Sequence, residues 1–122
     1  MLVIRLICAV YWLTLTTLLL VPDVRALFGG RIPEVRTGVG VHFVAFALLA
    51  FFTLASRPPL RHVLLAALLV GYAAATELLQ WLVPPRSTEL KDFAENLLGL
   101  AVGTAIWRGT RRCVLGRPSG HE

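Results

Sequence analysis

The chain has 122 residues, 57% of them apolar and 16% charged, with a mean hydropathy of +0.73. Soluble domains average about 45–50% apolar and about 25% charged, so both values point to a single membrane-embedded domain covering 1–122. The net charge of +5 does not argue for nucleic acid, because the basic residues are scattered among short segments with no continuous basic face and no interleaved aromatics.

The first apolar span is about 2–21, interrupted only by Arg5. It competes with a signal-peptide reading in which Arg5 forms the n-region and Val24-Arg25-Ala26 the cleavage site. The run of about 16 apolar residues after Arg5 is long for an h-region, which favours a retained helix. A loop from Pro22 to Thr37 follows, containing Gly29-Gly30. The second span is about 38–55 and the third about 62–83, separated by a tight turn that contains Pro58-Pro59. Pro84-Pro85 stops the third helix, since proline cannot donate to a continuing ladder. Ser87 or Thr88 is then placed to cap a fourth helix over about 89–107, with Glu89 and Asp92 in its first turn. A basic tail, 108–122, closes the chain.

No strand alternation is visible, and only helices or closed barrels satisfy their backbone in lipid. The expected fold is therefore all-α, a membrane-embedded bundle of four transmembrane helices. With the N-terminus inside, Arg5, Arg57, Arg61, Arg108, Arg111, Arg112 and Arg117 lie inside, and Arg25, Arg31, Arg36, Arg86 and Lys91 outside. That bias places both termini in the cytoplasm, in a multi-pass protein of the cytoplasmic membrane.

A row of polar and small residues crosses the last two spans: Glu77, Gln80, Arg86, Asp92, Asn96, Gly99 and Gly103. An ionisable or amide group in lipid costs roughly 2.5–3.5 kcal/mol at mid-bilayer and marks a functional site by default. At about 100° per residue, Asp92, Asn96, Gly99 and Gly103 fall within about 60° of one another. The glycines form a G-x-x-x-G stripe, which permits close helix approach, and the expected partner is the third helix in an antiparallel hairpin. Glu77 and Gln80 are neighbours at i and i+3, and His42 lies near the outer start of the second helix. The topology brings His42, Glu77, Gln80, Arg86, Asp92 and Asn96 towards one leaflet.

Plain structural readings stand beside each of these. Glu77 can pair with Arg86 to hold a hairpin, Gln80 and Asn96 can join helices, and Asp92 can serve as a first-turn acid. Arg86 can be a solvated loop residue and His42 structural. Cys8 and Cys113 show no ligand spacing, so neither a disulfide framework, a metal site nor a cofactor is expected.

At these residues the chain resembles the VanZ-like family of small bacterial membrane proteins. The matching elements are Glu77-x2-Gln80, Arg86, Asp92-x3-Asn96-x2-Gly99, the later Gly103, and His42-Phe43-x2-Phe46. The family often carries Asp-Lys shortly before the histidine, whereas this chain has Gly38-Val39. The family takes its name from a member linked to resistance to the glycopeptide teicoplanin, and the resemblance implies a fold and a site more than a reaction. The expected function is binding of an envelope-associated anionic or lipid-linked ligand at the extracytoplasmic leaflet, with Arg86, Gln80 and Asn96 as ligand contacts. The alternatives are a hydrolase or transferase on a lipid-linked substrate, with Glu77, Asp92 and His42 as acid–base candidates, and a purely structural bundle. Membrane lipid is the expected partner, with no nucleic acid.

Overall fold

The computed structural model describes residues 1–21, 29, 40–82 and 90–115. These form four helices, α1 (Leu2–Leu20), α2 (Val41–Ala55), α3 (His62–Trp81) and α4 (Leu90–Leu115), and no strand occurs among the described residues. The all-α class follows from apolar runs free of proline and dense in Leu and Ala, both strong helix formers.

The ends have local causes. α1 stops at Val21, whose backbone is extended while its N–H still bonds the Thr17 carbonyl at 3.0 Å. α2 begins behind Gly40, which sits at φ 111°, a conformation that side chains with a Cβ rarely adopt. At its other end the Ser56 hydroxyl turns back to the Thr53 carbonyl at 2.7 Å, and Arg57 takes φ 48°. Glycine usually fills that left-handed exit, and Pro58-Pro59 then prevents continuation. α4 runs to Leu115, past the expected end near 107, so the first part of the basic tail is helical. Arg108, Arg111 and Arg112 are good helix formers, and a single Gly109 does not break the ladder. The expected cap at Ser87 or Thr88, the Pro84-Pro85 stop, and the Pro22–Thr37 loop apart from Gly29 lie outside the described residues.

α1 packs on α2 and α3 through a band of aromatic and hydroxyl groups. Trp12 Nε1 donates to Thr53 Oγ1 at 3.0 Å, Tyr11 OH to the Ala45 carbonyl at 2.8 Å, and Thr16 and Tyr72 share a hydroxyl bond of 2.8 Å. The Trp12 and Tyr72 rings lie 4.4 Å apart. Each hydroxyl or indole N–H on this seam has a partner, as burial requires. The apolar centre is built from Leu15, Phe46, Leu49, Ala50, Leu65, Leu69, Ala73 and Leu100.

The most extensive helix contact is between α2 and α4, which corrects the expected pairing of the glycine stripe. A Cβ on Gly99 would run into the Phe43 carbonyl oxygen and lie 3.0 Å from Ala47 N. One on Gly103 would meet the Ala47 carbonyl, with Ala47 Cα at 3.0 Å. Further along, the Phe51 and Trp107 rings meet edge-on at 6.0 Å. The pairs Phe43–Gly99, Ala47–Gly103 and Phe51–Trp107 keep one constant register, so α2 and α4 run parallel. The stripe chooses α2 because α2 offers backbone and the small Ala47 at that point, letting two main chains touch. α3 does lie antiparallel to α4, but their contact at this end is made by Glu77 and Asn96 rather than by the glycines.

Candidate functional site

The C-terminal ends of α1 and α3 and the N-terminal ends of α2 and α4 meet at one end of the bundle. There the stripe on α4 carries its polar members. Asn96 is fully buried, with no exposed surface. Its Nδ2 donates to Glu77 Oε1 of α3 at 2.6 Å, and its Oδ1 lies 3.2 Å from His42 Nδ1 of α2. His42 Nδ1 is also 3.9 Å from Glu77 Oε1. One amide thus joins three helices.

The orientation of that amide follows from what it faces. A carboxylate only accepts, so the NH2 group must turn to Glu77. The amide oxygen then faces His42, and Nδ1 must carry the proton it accepts. A neutral His42 is therefore the Nδ1–H tautomer, with its lone pair on Nε2. Charging the ring would leave this contact intact and add a second donor. The side chains of His42 and Glu77 retain 21% and 13% exposure. The amide is wholly buried, the Oε2 atom of Glu77 is buried as well, and His42 is the most exposed member of the chain.

Two supports surround it. Glu95 Oε2 accepts the Gly40 N–H at 3.0 Å, which sets a carboxylate at the start of α2, where the helix dipole favours negative charge. That bond pins the turn leading into His42. Gln80 is buried and donates from Nε2 to the Leu19 carbonyl at 3.1 Å. The last four carbonyls of a helix lack intrahelical partners, so Gln80 closes the end of α1.

The polar residues singled out in the sequence therefore separate. His42, Glu77 and Asn96 form one hydrogen-bonded chain. Gln80 lies one turn away, with its amide nitrogen engaged by α1. Asp92, one turn before Asn96, is half-buried, and its side chain has no hydrogen bond or ion pair with another described residue. Arg86 lies outside the described residues. Glu95 was not singled out, although a second carboxylate beside Asn96 in an apolar stretch is the same signal that marks Glu77. Phe43 entered only through the family resemblance and Ala47 not at all, because nothing in an apolar helix says which of its faces will meet glycine.

A family model described as VanZ/LLP1 matches residues 13–114, the greater part of the chain and all of the residues described above as site or stripe. No curated protein and no solved structure matches it.

Proposed function

The chain belongs to the VanZ/LLP1 family, and we propose that it is a multi-pass protein of the bacterial cytoplasmic membrane that binds an anionic, envelope-associated or lipid-linked ligand at its polar end. All four helices cross the bilayer in this reading, with both termini cytoplasmic and the His42–Asn96–Glu77 end at the extracytoplasmic leaflet. α1 and α3, of 19 and 20 residues, are long and apolar enough to cross a membrane. α2 is apolar but has 15 described helical residues, and α4 has 26 with charges near both ends. The outward faces support lipid contact on every helix: Leu13, Val44, Val63 and Leu98 are all more than half exposed. Water penalises apolar side chains exposed in such number.

The observation that carries the functional reading is Asn96, wholly buried between an imidazole and a carboxylate. Polar groups held inside a greasy bundle are expensive, and this one fixes the ring of His42 while His42 stays partly open. A protonated His42 would present an N–H to an anion. Arg86, which lies between Glu77 and Asp92 in the sequence, has the planar fork that clamps phosphate or carboxylate. A link to glycopeptide resistance belongs to this reading through the family's namesake member.

A second reading has one specific observation behind it. An imidazole held by its Nδ1 and free to use Nε2 is the arrangement of a general base. In a hydrolase or transferase acting on a lipid-linked substrate, Nε2 would take the proton of water or a hydroxyl, and Glu77 would stabilise the resulting imidazolium. Asp92, half-buried nearby, is the remaining acid–base candidate.

The discriminating experiment is lipid analysis of the purified full-length protein together with a charge swap. Wild type is expected to retain an anionic envelope lipid that His42→Ala and Arg86→Ala lose. Glu77→Arg combined with Arg86→Glu is expected to fold and stay inactive. Full recovery of function by the swap means the pair is only an ion pair, and the structural-bundle alternative then stands.

A further inference from the structure

The opposite end of the molecule carries a different chemistry. A cavity of about 270 Å³ opens there between the α2–α3 turn and the last turns of α4, lined by Leu54, Arg57, His62, Leu65, Trp107 and Arg111. A smaller lobe of about 150 Å³ shares five of those residues and adds Arg108. No described acidic residue lines either lobe. The described acidic residues, Glu77, Asp92 and Glu95, all belong to the other end, roughly 20 Å away along α4 at 1.5 Å per residue.

The cationic side chains converge through two features of the fold. α4 continues past Trp107, so Arg108 and Arg111 fall at i and i+3 on one helical face. Arg57 is held at φ 48°, where a glycine would be at ease. None of Arg57, Arg108 and Arg111 pairs with a described carboxylate. Below the arginines the walls are apolar: Leu65 is buried, Leu54 half-buried, and Trp107 lines both lobes. Beside the mouth, Val63 is 82% exposed on the outside of α3.

We propose that this cavity binds the phosphate-bearing headgroup of an anionic membrane phospholipid. Arg57, Arg108 and Arg111 contact the phosphate, His62 adds a donor, and the acyl chains leave over Leu65 and the exposed face of α3. A cluster of cations above an apolar wall suits an amphiphile better than a free anion, and basic pockets between membrane helices take anionic headgroups. The inference rests on the membrane reading but is independent of the His42 site, which lies at the other end. It concerns a second lipid site in the other leaflet.

The test is native mass spectrometry of the full chain, extracted from membranes in mild detergent and supplied with phosphatidylglycerol or phosphatidylcholine. Wild type should retain phosphatidylglycerol preferentially. Arg111→Gln and Arg57→Gln should each reduce that retention roughly five-fold, the weight of one cation at an anionic headgroup. Arg112→Gln removes the same charge from the same helix without lining the cavity, and should change little. Unaltered melting temperatures in all three variants show that folding is intact, and Arg111→Lys, which keeps the charge, separates loss of charge from loss of fold if Arg111→Gln melts early. Inorganic phosphate at the lipid's own concentration should not displace the lipid. Equal losses in Arg111→Gln and Arg112→Gln, no preference between the two lipids, or full displacement by phosphate would each overturn the proposal. Failure of the protein to fractionate with membranes would overturn the membrane reading as well, so the two failures are distinguishable.

Discussion

Asn96 makes the most consequential contacts of any single side chain. Its two ends serve Glu77 and His42 on different helices, and it has no exposure to water. Replacing it with leucine keeps comparable bulk but removes a donor from the carboxylate and an acceptor from the imidazole. Leaving buried polar groups without such partners costs about 1–3 kcal/mol. Glu77→Gln differs in kind, because the new amide oxygen can still accept from Asn96 while the charge is gone. Thermal unfolding in detergent should therefore show Asn96→Leu clearly destabilised and Glu77→Gln close to wild type, with both losing ligand retention. Equal melting of Asn96→Leu and wild type would mean that the amide does not hold the three helices together. Asn96, Glu77 and His42 were legible in the sequence as polar residues in apolar spans converging on one end. Their pairing was not, because a spacing of three or four residues says which side chains share a face, not which neighbour that face meets.

At the scale of the elements, the α2–α4 contact tests the glycine stripe directly. Gly99 and Gly103 leave no room for a Cβ against the backbone of Phe43 and Ala47, whereas Gly71 on α3 has nothing within 4 Å of where its Cβ would be. Gly99→Ala and Gly103→Ala should force the two helices apart and lower the melting temperature, by the 1–3 kcal/mol typical of overpacking. Gly71→Ala should be neutral or stabilising by roughly 0.5–1 kcal/mol, since alanine is the better helix former. Melting curves of the three variants side by side decide the matter, and equal tolerance would show that the stripe is not a packed face. The stripe itself was visible in the sequence. Its assignment to α3 went wrong because sequence adjacency favours consecutive helices, and a parallel pair separated by an intervening helix leaves no local trace.

For the whole molecule, the four crossings proposed above would put both termini on one side. Reporter fusions at Arg117 and within Ser87–Lys91 should place the tail in the cytoplasm and that segment outside, in line with the arginines that follow Trp107. The opposite result would move the His42 end to the cytoplasmic leaflet and remove the extracytoplasmic ligand from the proposed function. The molecule is polarised in any case. Its described carboxylates gather at the His42 end, and Arg57, Arg108 and Arg111 gather at the other. Each end thus offers a different recognition chemistry, joined by an apolar middle built around Phe46 and Leu49.

The sequence by itself determined the all-α class, the positions of the helices to within a few residues at most ends, and the set of residues too polar for their surroundings. Those are local properties: apolar runs, proline stops and helical periodicity act within a few turns of chain. Only the tertiary structure decided that the glycines face α2 in parallel, that Asn96 bridges Glu77 to His42, that Gln80 closes α1, and that Glu95 pins Gly40. These depend on how each helix is rotated about its axis and which neighbour it meets. That rotation is set by the packing of all the helices at once, a balance no single segment encodes.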